Sequence, residues 1–321
     1  WAFVINVPLG IAVLAASARA VPETIDPNVE GRLDLVGAAL VVVALASGTL
    51  ALAATGSAEW TVPAAFVATL TTVGFVWRIR RAQHPLVPPT LFRDRTFATL
   101  NVATVLLYGP LTVSFFLLAY QLQVTAGWSA LEVGLVLLPV TLLLFLLSGR
   151  SSALAQRIGP RLQLTGGPLL ASAGLLLLAD LGADAVWLTD VLPGSVLFAL
   201  GISAFVAPLT ATVMASADPD HVSVASGVNN ALARTAALAA LAVVPAASGL
   251  SAAMGDAEVT SAFRRAMLLA AGGAASAAVC AFVGLRPGPA TGATRQARRD
   301  ADRGGRAEAM PERHTGGGVA P

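Results

Sequence analysis

Residues 35–54 read LVGAALVVVALASGTLALAA, twenty positions without one charge. A hydrocarbon core about 30 Å thick needs about 20 mainly apolar helical residues to cross it. The stretch meets that length, and it is too long and too uniform for an alternating barrel strand. Eight more stretches of this kind lie at 2–20, 61–79, 98–123, 130–149, 163–181, 186–210, 222–248 and 264–285. Composition agrees: 56 % hydrophobic residues, 12 % charged and a mean hydropathy of +0.75. A soluble domain carries about twice that charge. The expected fold is an all-α polytopic membrane bundle of nine transmembrane helices. Gly109-Pro110, Pro139, Pro193-Gly194 and Pro245 fall inside spans, where neighbouring helices re-satisfy the freed backbone groups.

Loop charge sets an orientation. All 20 basic residues are Arg. Arg19 and Arg32 follow the first span, Arg78, Arg80, Arg81, Arg93 and Arg95 the third, Arg150, Arg157 and Arg161 the fifth, and seven more the ninth. Only Arg264 and Arg265 fall on the opposite side, so seventeen stand against two. By the positive-inside bias the C-terminus is cytoplasmic. Nine spans then put Trp1 outside, which implies a longer protein with an odd number of upstream helices. The opening stretch lacks the basic leader and cleavage pattern of a signal peptide. Residues 286–321, rich in Gly, Pro, Ala and mixed charge, read as a disordered cytoplasmic tail.

No catalytic constellation appears. His84, His221 and His314 stand far apart in loops or the tail, and Cys280 sits alone in an apolar run. The expectation is no enzyme, no metal, no cofactor and no nucleic-acid partner. Polar residues inside spans carry more information, because lipid penalises them unless they face protein or water. Ser226, Asn230 and Arg234 are spaced four apart and share one helical face, with Asn229 alongside. This stripe either lines a hydrated substrate path or locks helix ends through backbone carbonyls. In the fourth span Asn101, Tyr108, Gln121 and Gln123 suit a cavity wall or, equally, interhelical hydrogen bonds. Glu132 and Asp190 are read as solvated helix ends. Gly166-Gly167, Ala171 and Gly174, and later Gly272-Gly273 and Ser276, are expected to allow close helix approach.

FVINVPLGIAVL at 3–14 resembles the start of the sixth helix in the fourteen-helix drug:proton antiporters of the major facilitator superfamily, the EmrB/QacA-like group. DLVGAAL at 34–40 resembles that group's first extra central helix. HPLVPPTLFRDRTFATLN at 84–101 is similar to the loop before its C-terminal half. AYQLQVTAGWSALEVGLVLLP at 119–139, GRSSALAQRIGPR at 149–161 and SGVNNALARTAALAALAV at 226–243 resemble further segments in the same order. The resemblance covers residues 1–286.

The resemblance implies the last helix of the N-terminal half at 1–20, two extra central helices and a linker at 21–97, and the C-terminal six-helix half at 98–285. Five helices would precede residue 1, and they would hold the group's proton-coupling carboxylate. The implied function is efflux of small amphipathic or hydrophobic compounds, proton-driven by alternating access, in the bacterial inner membrane. The alternatives are export of one specific metabolite and a non-transporting sensor or scaffold of the same fold. The implied partners are a small-molecule substrate, the bilayer and the missing N-terminal helices. Gly149, Arg150, Arg157, Gly159 and Arg161 correspond to the group's cytoplasmic gate loop, although Gln156-Arg157 replaces the usual acidic-basic pair.

Overall fold

A chain in hydrocarbon must satisfy its backbone N–H and C=O groups internally, and helices do this within one segment. The computed structural model describes residues 4, 6–20, 34–53, 58–82, 85–218, 221–250 and 255–286, and among them there is no strand. The chain divides into two units, residues 1–34 and 35–321. The first contains α1 (Asn6–Ala20), a 15-residue apolar helix within the expected 2–20 span. Residues 2, 3 and 5 of that span, and the tail from 287, lie outside the described residues.

The second unit contains eight helices long and apolar enough to cross a membrane. They are α2 (Leu35–Ala53), α3 (Ala58–Arg81), α4 (Arg95–Val124), α5 (Ala130–Ile158), α6 (Pro160–Leu178), α7 (Leu192–Ser216), α8 (Val222–Ser248) and α9 (Asp256–Gly284). A 3₁₀ turn at Pro89–Arg93 precedes α4, and a π-helical turn at Trp187–Val191 runs into α7. The helices α2 and α3 pair as a hairpin, and α2 also touches α8. The other six form one group, in which α9 packs on α4 and α6, α7 on α5 and α6, and α8 on α4.

Small residues set the tightest contact. Gly167, Ala171 and Gly174 of α6 face Gly194, Phe198 and Gly201 of α7. A Cβ on Gly167 would lie 2.7 Å from the Gly201 carbonyl oxygen, so the backbones approach as closely as only glycine allows. The neighbouring Gly166 faces open space. On α9, Gly273 admits Pro110 of α4: a Cβ there would stand 2.8 Å from the proline ring and 3.3 Å from the Leu106 carbonyl oxygen. Pro110 lacks the N–H that would bond that carbonyl, so proline and glycine form one feature. Ser172 Oγ adds a bond from α6 to the Ala271 carbonyl of α9 at 2.9 Å.

Two boundaries differ most from the sequence expectation. The fifth helix runs through Ile158 instead of stopping at 149, and the ninth begins at Asp256, eight residues before 264. Hydropathy marks the length inside lipid, whereas a helix continues past it wherever side chains can reach water. The 149–161 stretch, expected to be a loop, is therefore mostly helix. Gly149, Arg150 and Arg157 sit exposed on the last turns of α5, and the chain turns at Gly159, whose φ is 87°. Arg161 stands in the first turn of α6.

Arginines close helix ends on both sides. The last carbonyls of a helix have no partner within it and carry partial negative charge. At the Arg-rich end, Arg161 donates to the Phe282 carbonyl of α9 at 2.8 Å and lies 4.4 Å from the Phe282 ring centroid. Arg95 donates to the adjacent Val283 carbonyl at 3.0 Å. At the opposite end Arg265 donates to the Ser248 carbonyl of α8 at 2.8 Å, beside Gly249 with φ 77°. Arg264 pairs there with Asp180 at 2.9 Å in an exposed contact, which contributes little.

Two outcomes follow for thermal unfolding of the full-length protein in detergent. Gly201→Val should cost about 1–3 kcal/mol, the penalty for overpacking a filled contact, whereas Gly166→Val should leave the melting temperature unchanged. Arg161→Ala should cost about 1 kcal/mol through the lost helix-end interaction, and Arg157→Ala close to nothing.

Candidate functional site

The polar residues of α4 and α8 divide into two groups. Asn229 is 8 % exposed and Asn101 3 %. The Asn229 Nδ2 donates to Thr104 Oγ1 at 2.8 Å and to Asn101 Oδ1 at 3.2 Å. Asn101 Nδ2 in turn donates to its own helix at the Phe97 carbonyl, 2.8 Å away. These amides tie α8 to α4 inside the protein. Gln121 does the same at the other end of α4: fully buried, it donates to the Leu181 carbonyl at 3.0 Å and to Thr260 Oγ1 at 3.2 Å. Asn101, Gln121 and Asn229 thus take part in hydrogen bonds between elements.

One residue further along α8 the environment reverses. Successive helical residues point about 100° apart, so Asn230 turns away from α4. Asn230 and Arg234 are exposed on this second face, and Ser226 is half-buried. Asn230 and Arg234, but not Ser226, line a cleft of about 330 Å³ between α2 and α8, together with Ala44, Leu45, Gly48, Thr49 and Leu52 of α2 and Gly227 and Leu238 among others of α8. A second hollow of about 430 Å³ continues toward the far end of α8, past Leu241 and Pro245. Tyr108 of α4 is partly buried. Gln123 is exposed near the end of α4.

Arg234 falls at the middle of the 27-residue α8. Placing Arg at the centre of a membrane helix costs about 3 kcal/mol on insertion scales. Among the described residues its guanidinium forms no hydrogen bond and no ion pair. Every other arginine treated above lies near a helix end. Among the described residues the position makes no bond comparable to the helix-end bonds of Arg161 or Arg265, and it lines the α2–α8 cleft.

Two other acidic residues serve helix starts. Ser129 and Glu132 form a reciprocal capping box on α5, with Ser129 N donating to Glu132 Oε2 at 2.7 Å and Glu132 N to Ser129 Oγ at 3.3 Å. The S-x-x-E spacing is a known signature of this cap and was legible in residues 129–132. Asp190 Oδ2 accepts from Val186 N at 2.8 Å, at the start of the π-helical turn. Among the described residues no group of His, Cys, Asp and Glu has the arrangement of a metal site.

Comparison with known proteins agrees with this architecture. Residues 1–241 match the family model described as Major Facilitator Superfamily. The chain is 36 % identical over 232 residues to the lincomycin resistance protein of Streptomyces lincolnensis, covering 71 % of this chain and 48 % of that one. It is 30 % identical to the multidrug resistance protein Stp of Mycobacterium tuberculosis, over 71 % of this chain and 43 % of the relative. It is 29 % identical to the cephamycin export protein CmcT of Amycolatopsis lactamdurans, over 80 % and 54 %. The chain spans about half the length of these curated relatives. With its helical membrane fold and the match over most of its length, the chain belongs to the Major Facilitator Superfamily of membrane transporters.

Proposed function

We propose that this chain forms the C-terminal part of an exporter of small amphipathic or hydrophobic compounds, driven by inward proton movement across a bacterial inner membrane. The observation that carries the reading is Arg234, a cation at mid-helix facing a cleft rather than a protein partner. Three related proteins named for antibiotic resistance or export support the substrate class. The Arg-rich end, with Arg78, Arg80 and Arg81 on α3 and Arg150 and Arg157 on α5, lies in the cytoplasm by the positive-inside bias. Residues 98–285 act as one half of the transporter, and 21–97 supply the two central helices before it.

In this mechanism the six-helix group rocks as a unit. Its internal polar bonds, Asn229 to Asn101 and Thr104 and Gln121 to Leu181 and Thr260, keep α4, α8, α9 and the 181 loop together during that motion. Alternating access of this kind places the substrate near the midplane, between moving bundles. Asn230, Arg234, Tyr108 and Gln123 are the polar contacts on the path. The helix-end bond from Arg161 to α9 stiffens the cytoplasmic side.

A second reading, export of a single natural product, is favoured by the lincomycin and cephamycin names among the relatives. Energised inverted vesicles carrying the full-length protein separate the two. Accumulation of many dyes supports the broad reading, accumulation of one compound the narrow one, and none contradicts both. In the same vesicles Arg234→Ala should lower the initial transport rate about tenfold or more, the worth of one charge-assisted contact. Expression should stay normal, and an undiminished rate removes Arg234 from the mechanism.

A further inference from the structure

Arg234 carries the one formal charge in the lining of the α2–α8 cleft. Its surroundings are mostly apolar, from Ala44, Leu45 and Leu52 on one side to Leu238 on the other. A charge in such a setting is favoured only where a counter-charge and hydrogen bonds replace its water. The lining does not provide them. No carboxylate lines the cleft, and Arg234 bonds neither the Thr49 nor the Thr235 hydroxyl, which donate to the Leu45 and Ala231 carbonyls at 2.7 and 2.8 Å. Asn230, one turn before Arg234, presents an amide that bonds no described residue. The guanidinium is a planar fork suited to two parallel bonds to a carboxylate, and Gly227, where a Cβ would meet open space, leaves room for a ligand body beside the backbone. A cleft of about 330 Å³ has the size of a small-molecule pocket.

Resting on the export reading above, we infer that this cleft takes the anionic end of an amphipathic substrate. A carboxylate sits on Arg234, Asn230 supplies a further donor, and the apolar body lies against Leu45 and Leu52 of α2. The same site disfavours cationic compounds, because the ligand meets like charge at Arg234. It also assigns α2, one of the two central helices, a share in substrate recognition. The shared chemistry is a carboxylate, and its alternative source is an acidic side chain elsewhere in the full-length protein.

Three dansyl probes test this on the purified full-length protein: dansyl-leucine as the anion, its methyl ester as the neutral counterpart and dansylcadaverine as the cation. Binding is read by fluorescence titration and export in energised proteoliposomes. Wild type should bind the acid about tenfold tighter than the ester, with the cation weakest. The acid-to-ester ratio should fall to about one in Arg234→Gln and be partly kept in Arg234→Lys. Should Arg234→Gln not yield a monodisperse protein, Asn230→Leu should still narrow the ratio. Equal binding of acid and ester by wild type, or an acid preference that survives Arg234→Gln, overturns the inference. Wild type lacking the preference while Arg234→Gln lowers its melting temperature also overturns it, in favour of an internal ion pair. Binding in the expected order without export of any probe supports the anion site and contradicts the export reading alone.

Discussion

The contact of Gly201 with Gly167 and Ala171 is the constraint on which the six-helix group rests. In lipid the tails around a helix are as apolar as its side chains, so burial of apolar surface gives little drive for association. Close packing and occasional hydrogen bonds must hold the bundle. With α6 and α7 backbone to backbone, α5 docks on α7 and α9 on α6, and α9 in turn receives Pro110 of α4 through Gly273. Buried alanines along α9, from Ala262 to Ala281, extend the same economy. The resulting unit is rigid enough to present one face of α8.

Polar groups inside the bundle are arranged against that background. Most are occupied by protein: Asn101, Thr104 and Asn229 with one another, Gln121 with Leu181 and Thr260, Ser172 with Ala271. Arginines near the membrane surfaces are likewise engaged with the carbonyl ends of α8 and α9. Arg234 and Asn230 depart from this economy, at mid-helix and facing the cleft. The adjacent pair Asn229 and Asn230 shows how narrow the division is, since one residue separates a sealed amide from an open one.

Much of this was legible in the sequence. Charge-free runs such as 35–54 mark the spans because lipid thickness fixes their length, and the α6 glycines announce close approach through their spacing. The i, i+4 pattern of Ser226, Asn230 and Arg234 put all three on one face, of which Asn230 and Arg234 line the cleft and Ser226 does not. Helix ends were not legible, because hydropathy falls where lipid ends and not where hydrogen bonding ends, hence the early start of α9 and the long α5. Nor could spacing alone separate Asn101 and Gln121 as interhelical bonds from Gln123 as an exposed position. That distinction depends on where α8, α9 and the 181 loop lie, which no local pattern encodes. Arg264 and Arg265, which run against the charge bias, are explained by partners distant in sequence: Asp180 and the end of α8.

Helix α8 has a sealed face at Asn229 and an open one, lining the cleft, at Asn230 and Arg234. Cysteine accessibility measures this most directly, with Asn229→Cys and Asn230→Cys placed singly in a full-length Cys280→Ser background and exposed in membranes to a water-soluble maleimide. The cysteine at 230 should react readily, while the one at 229 reacts only after denaturation. Equal labelling at the two positions, or reaction at 229 alone, would contradict the account.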